Sequence, residues 1–166
     1  MRAGVSRATL YLYWSSKAEL FRGIVRQLHE EHLAAMEAVL ERQHSSLEAA
    51  LLAMLEARFL RFVELTSESP HAAELYDLHS RMCGEIARSS QERSERLLEL
   101  LVRRAHERGE ADLSRSGLTP SGAASVLFDC AHGAKGEDPS LATPTGFRRR
   151  LGRAVRLLSI GLGAEV

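Results

Sequence analysis

The chain of 166 residues is long enough for one domain, or one and a small appendage, and can bury a core without disulfide staples. Lys plus Arg number 22 and Asp plus Glu 22, so no net field draws the chain onto nucleic acid or membrane, and any DNA role must rest on a local basic patch. The abundance of Ala, Leu, Glu and Arg, with 5% aromatic residues, favours helices over strands.

The first segment, Ala3 to Phe21, reads as a tight turn, a helix of about two turns capped by Ser6, a second turn, and the start of a long helix. Val5, Leu10 and Trp14 are predicted to point inward, leaving Arg7, Thr9, Tyr11 and Tyr13 outside. Between Arg2 and Arg26 the charges are Arg2, Arg7, Lys17, Arg22 and Arg26 against Glu19 alone, so the basic excess coincides with this segment. Hydroxyls and phenols beside basic side chains suit hydrogen bonding to phosphates and base edges, and Lys17 opens a helix whose free N–H groups favour a phosphate.

Ser16-Lys17-Ala18-Glu19 has the form of a capping box. The helix after it, predicted to run to about Arg42, carries Phe21, Val25, Leu28, His32, Ala35 and Val39 on one face. Ser45-Ser46-Leu47-Glu48 reads as a second box, opening a helix to about Thr66 that is apolar nearly all round and therefore central. Ser69-Pro70 is predicted to start the next helix, with a break near Cys83-Gly84 and a restart at the Ser89–Glu92 signal. The helix through Leu97, Leu101 and Ala105 ends at Gly109, and residues 110–118 form a loop. Thr119-Pro120 and Thr143-Pro144 open two further helices, the last with a stripe of Phe147, Leu151, Ala154, Val155, Leu158 and Leu162. No stretch alternates with period two, so no sheet is predicted. Cys83 and Cys130 form no CxxC pair, no apolar run approaches a membrane span and no signal peptide precedes the first motif; a reduced, cytoplasmic protein is expected.

The run Gly4-Val5-Ser6-Arg7-Ala8-Thr9-Leu10-Tyr11-x-Tyr13-Trp14-x-Ser16-Lys17-x-x-Leu20-Phe21 resembles the recognition-helix signature of the TetR family of bacterial transcriptional regulators. The resemblance covers residues 3–21, and the helical layout downstream is similar to that family's plan. It implies an all-α helical bundle, with residues 1–22 a partial helix-turn-helix DNA-binding domain and residues 23–166 a domain that binds an effector and dimerises through its last two helices. It further implies that Thr9, Tyr13 and Lys17 hold phosphates, while Ser6, Arg7, Tyr11 and Leu12 face the major groove of double-stranded DNA. Leu12, being apolar, has only a thymine methyl to contact. Trp14 stands where the family most often has phenylalanine. The family places two helices ahead of the turn, and the chain as given lacks them. Without that bracing, Val5, Leu10 and Trp14 lose burial on the order of 1.5–3 kcal/mol each. Weak or absent DNA binding by the chain as given is the expectation, whether from a misplaced start or a true truncation.

The function expected is that of a ligand-responsive regulator, a repressor acting as a homodimer, with no catalysis, cofactor or metal and no membrane partner. The alternative is a DNA-incompetent ligand-binding or dimerising module. Phe59, Phe62, Met82 and Phe128 read first as core packing, and with Tyr76, His79 and Cys83 they form a candidate effector pocket. Ala123, Ala124, Leu127, Ala131, Leu151, Val155 and Leu158 are the candidate dimer stripe. His29 and His32, Glu41 with His44, and Cys130 with His132 read as solvated rather than as metal ligands. The arginines at 148, 149, 150, 153 and 156 read as the solvated rim of the last helix.

Overall fold

A computed structural model describes residues 12–138 and 141–163, with Arg115 by its backbone alone. The expectations placed on Val5, Ser6, Arg7, Thr9, Leu10 and Tyr11 lie outside the described residues. Among the described residues six α-helices of the bundle follow one another: α1 (Lys17–Leu40), α2 (Leu47–Ser67), α3 (Ala72–Met82), α4 (Gly84–Glu107), α5 (Pro120–Gly133) and α6 (Pro144–Gly161), with a short 3-10 turn at Leu113–Arg115. No strand occurs among the described residues, and the architecture is all-α. None of these helices is long and apolar enough to cross a membrane.

Local chemistry sets most of the helix starts. Ser16 accepts a hydrogen bond from the Glu19 N–H at 3.1 Å. The Glu19 carboxylate reaches back one residue further than a capping box requires, to the Ser15 N–H at 2.9 Å and its hydroxyl at 2.5 Å. Thr119 and Thr143 accept from Gly122 and Gly146, each ahead of a proline at the first helical position, where the missing N–H costs nothing. Gly109, at φ 75°, ends α4: its N–H donates to His106 O and the next N–H to Ala105 O, satisfying carbonyls the helix leaves free.

Three starts differ from the sequence reading. Ser46, not Ser45, caps α2, accepting from Ala49 N–H. Helix α3 begins at Ala72, two residues past Pro70, because Ser69 spends its hydroxyl on the His71 N–H in the preceding turn. The break at Cys83 is present, but α4 restarts at once from Gly84, and the Ser89–Glu92 signal lies within a continuous helix. Ser90 and Ser94 are buried there instead of capping, and the Ser94 hydroxyl donates to Ser90 O at 2.8 Å.

Helix α2 is the centre of the bundle. Leu51, Met54, Leu55 and Val63 have no measurable exposure. Helix α1 packs on α2 and α4, α6 on α2, and α5 on α4. The core joins Met36 and Val39 of α1, Leu98, Leu101 and Val102 of α4, Leu127 and Phe128 of α5, and Phe147, Leu151 and Val155 of α6. Each such side chain contributes roughly 1.5–3 kcal/mol by leaving water. The buried face of α1 runs through Val25, His29, His32, Leu33, Met36 and Val39, so Met36 takes the place expected of Ala35, which is exposed.

This packing changes the reading of two sets of residues. Ala123, Ala124, Leu127, Ala131, Leu151 and Val155 are each 2% exposed or less within the single chain, and Leu158 is half-buried. The first six are therefore core contacts of one chain and have no surface left for a second copy, whereas Leu158 packs on that core with part of its side chain open. The apolar side chains that α5 and α6 leave open are Val126, Leu157 and Ile160, Leu157 at 71% exposure. Arg150 is no solvated rim residue: its guanidinium donates to Ala134 O at 2.6 Å and Lys135 O at 2.9 Å, clamping the C-terminal end of α5. Arg148 lies 3.5 Å from the Glu56 carboxylate.

Candidate functional site: a basic aromatic cavity beside a matched N-terminal segment

A cavity of about 370 Å³ opens among five helices. Helix α1 supplies Val25, Leu28, His29 and His32, α2 supplies Arg58, Phe59 and Phe62, and α3 supplies Tyr76, His79 and Ser80. Gly84, Ala87 and Gln91 of α4, Phe128 and His132 of α5, and Lys135 just beyond α5 complete the wall. Its volume is that of a site for a small organic molecule. Five of the seven residues read as a candidate effector pocket, Phe59, Phe62, Tyr76, His79 and Phe128, line this one space. Met82 and Cys83 do not. They form the α3–α4 corner, where the Arg22 guanidinium of α1 donates to Met82 O at 3.2 Å and burial pushes the Cys83 thiol up.

The aromatic walls interlock. Phe59 meets Phe128 with ring centroids 5.1 Å apart, and Phe62 meets Tyr76 edge-on at 5.0 Å and His79 at 5.6 Å. Such offset and edge-on pairs each add about 0.5–1.5 kcal/mol beyond area burial.

The polar part of the wall is basic. His29 and His32, read from the sequence as solvated, are buried and face the cavity, since the stripe that carries Val25 and Leu33 inward carries them too. The His29 and His79 Nε2 atoms lie 3.4 Å apart. Burial lowers His29 to about 3 and His32 to about 4, with the charge of Arg58 acting the same way, so both imidazoles are neutral at physiological pH. Burial likewise lowers His79 and His132.

Arg58, 8% exposed, donates from Nε to the Ser94 hydroxyl at 3.0 Å and lies 3.5 Å from His32 Nδ1. Its guanidinium carbon sits 5.1 Å from the Phe59 ring centre and 5.8 Å from that of Phe128. Lys135, also 8% exposed, places Nζ 5.4 Å from the same Phe59 ring. Burial lowers Lys135 to about 8, and the neighbouring Arg58 charge adds to the effect. The Tyr76 hydroxyl, His29 Nδ1 and His32 Nε2 are buried without a hydrogen-bond partner. Thr66, beside Tyr76, gives its own proton to Phe62 O at 2.9 Å.

Sequence reasoning passed over Arg58 and Lys135, and read the three histidines at 29, 32 and 132 as solvated. A signal for Arg58 was available: it stands four residues from both Met54 and Phe62, in the inward row of a helix called apolar all round. Lys135 carried no such signal, because it lies past the end of α5 and is brought in by the Arg150 clamp. Among the described residues, no group of three or more His, Cys, Asp or Glu is placed to hold a metal ion.

At the other end of α1, Leu12 and Tyr13 are helical and open, at 82% and 76% exposure, and Lys17 is exposed at the first position of α1. Trp14 is half-buried and lies against α1 at Gly23, where an added Cβ would stand 3.0 Å from its indole nitrogen. Of the inward trio expected from the sequence, Trp14 is the described member, and it packs on this helix. The boundary expected between residues 22 and 23 falls inside α1, a continuous helix that belongs to both parts.

Residues 1–24 match the family model of the bacterial regulatory proteins of the tetR family. No curated protein and no solved structure matches the chain.

Proposed function

We propose that this protein is a ligand-responsive transcriptional regulator, a repressor, that acts on operator DNA as a homodimer. The supporting observation is that a single helix serves both ends. Val25, Leu28, His29 and His32 of α1 line the cavity, while the start of the same helix carries Lys17 and the packing surface for Trp14. A molecule lodged in the cavity touches the element on which the DNA-reading segment rests. It shifts DNA affinity to the extent that it binds one orientation of α1 better than another.

In this reading Thr9, Tyr13 and Lys17 hold phosphates, and Ser6, Arg7, Tyr11 and Leu12 face the groove. Two copies place these segments in successive major grooves, about one helical turn apart. The second copy packs on the open apolar side chains of α5 and α6.

The test is selection of bound sequences from a random DNA pool, followed by mobility shifts on the enriched site. A two-fold symmetric site is expected, with Lys17→Ala weakening enriched and random DNA alike and reducing the salt slope by about one ion. Ser80→Trp, at the exposed lip of the cavity, leaves DNA affinity intact and abolishes release by ligand. Failure to enrich any sequence, both by the chain as given and by a version extended upstream through the two helices that brace the turn, would overturn the regulator reading.

A further inference from the structure

We infer that the ligand of the cavity is an apolar organic acid, its anionic group seated against Arg58 and Lys135 and its ring system against Phe59, Phe62 and Phe128. This rests on the reading of the cavity as a ligand site and specifies the chemistry that site selects.

Two side chains with charged termini, each more than nine-tenths buried, flank one aromatic ring. Among the described residues neither forms an ion pair with a carboxylate, and no Asp or Glu lines the cavity. A buried charge is ordinarily paired, because the loss of hydration is otherwise uncompensated. Attraction to the Phe59 face recovers only about 0.5–2 kcal/mol for each cation. Arg58 spends its Nε proton on Ser94, and the Lys135 ammonium meets an aromatic face instead of an acceptor.

The neighbouring polar atoms point the same way. Tyr76 has an unpartnered hydroxyl, and neutral His29 and His32 each have an unpartnered ring nitrogen. These are groups able to donate to an anion or to take up a proton beside one. A cationic ligand or a metal ion would enter against Arg58 and Lys135 and find no carboxylate. A bare inorganic anion would leave the aromatic wall unused.

The test uses three probes with one ring system: naphthoate, its neutral amide, and naphthylmethylamine, with inorganic phosphate as a fourth. Binding is measured on the full chain by calorimetry and by thermal shift. Naphthoate is expected to bind at least about tenfold more tightly than the amide, the gap that one charge-assisted hydrogen bond supplies, and the amine and phosphate are expected not to bind. Lys135→Gln should remove about that tenfold advantage while leaving amide binding unchanged. This variant carries the argument if Arg58→Gln fails to fold for want of its Ser94 contact.

Amide or amine binding as tight as the acid, or an acid affinity unmoved in Lys135→Gln, would overturn the anion assignment and leave the sensor reading standing. Protection by phosphate equal to that by naphthoate would overturn the apolar part of the assignment. Tight, Lys135-dependent acid binding that leaves the mobility shift unchanged would uphold the assignment and overturn the sensor reading. Absence of binding by all four probes would overturn the assignment, whereas the DNA selection would still decide the regulator reading.

Discussion

Mild acid should destabilise this fold more than its carboxylates account for, and the cause is His29 and His32. In the unfolded chain each imidazole titrates near its ordinary value of 6.5; in the fold His29 is lowered to about 3 and His32 to about 4. His29 faces Arg58, His79 and His32, and His32 faces Arg58, Arg61 and Glu31, whose charge acts in the opposite, weaker sense. Between these values the unfolded chain binds more protons than the folded one. The contribution is therefore fully present above about pH 6.5 and is lost as pH falls toward 3–4. From pH 7 to pH 5 each histidine gives up about 2 kcal/mol, and the coupled pair roughly 3–4, out of a total of about 5–15 for a domain. The depressed carboxylates, Glu19 and Glu110, titrate below their ordinary 4.5 and so lie outside this window. Urea unfolding followed by circular dichroism at fixed protein concentration should show the midpoint falling by roughly 1–2 M between pH 7 and pH 5 at a constant slope. In the His29→Gln/His32→Gln variant the share of that fall due to this pair should vanish, whatever its stability at pH 7, leaving the part that the lowered His79 and His132 contribute in the same direction. A midpoint flat from pH 7 to pH 5 in the parent, or an unchanged fall in the variant, would refute the burial argument.

Other perturbations separate packing from function. Arg150→Met removes two charge-assisted hydrogen bonds to the Ala134 and Lys135 carbonyls, and should cost about 1.5–3 kcal/mol in chemical denaturation and weaken naphthoate binding, because the clamp holds the turn that carries Lys135. Gly23→Ala gains up to about 1 kcal/mol of helix propensity but sets a methyl 3.0 Å from the indole nitrogen of the chain's single tryptophan. Its emission should shift while the urea midpoint holds or rises; an unaltered spectrum would show that Trp14 does not rest on α1. Leu157→Glu with Ile160→Glu should yield a monomer of unchanged helicity by sedimentation, since both side chains are open in the single chain. A dimer that survives both charges would place the subunit contact elsewhere.

How much was legible from the sequence depended on the range of the interaction. The caps at Ser16, Thr119 and Thr143 and the stop at Gly109 were readable because each is closed by residues within five positions of one another. The all-α class followed from periodicity, and the N-terminal signature from a contiguous motif. The apolar row on α5 and α6 announced burial correctly, but not against what: Leu151 and Val155 face the core of their own chain, and a stripe carries no record of its partner. The basic cavity was the least legible part. His29, Arg58 and Lys135 are set side by side by three different elements, and each alone is an ordinary polar residue. Whether such a group meets water or the interior is decided by the helix opposite, through desolvation that exists only once the bundle has closed. Sequence alone determined the helix boundaries that are closed locally, at Ser16, Thr119, Thr143 and Gly109, and which family's signature opens the chain. Tertiary packing alone decided that two buried cations share one aromatic ring, with no carboxylate paired to either among the described residues.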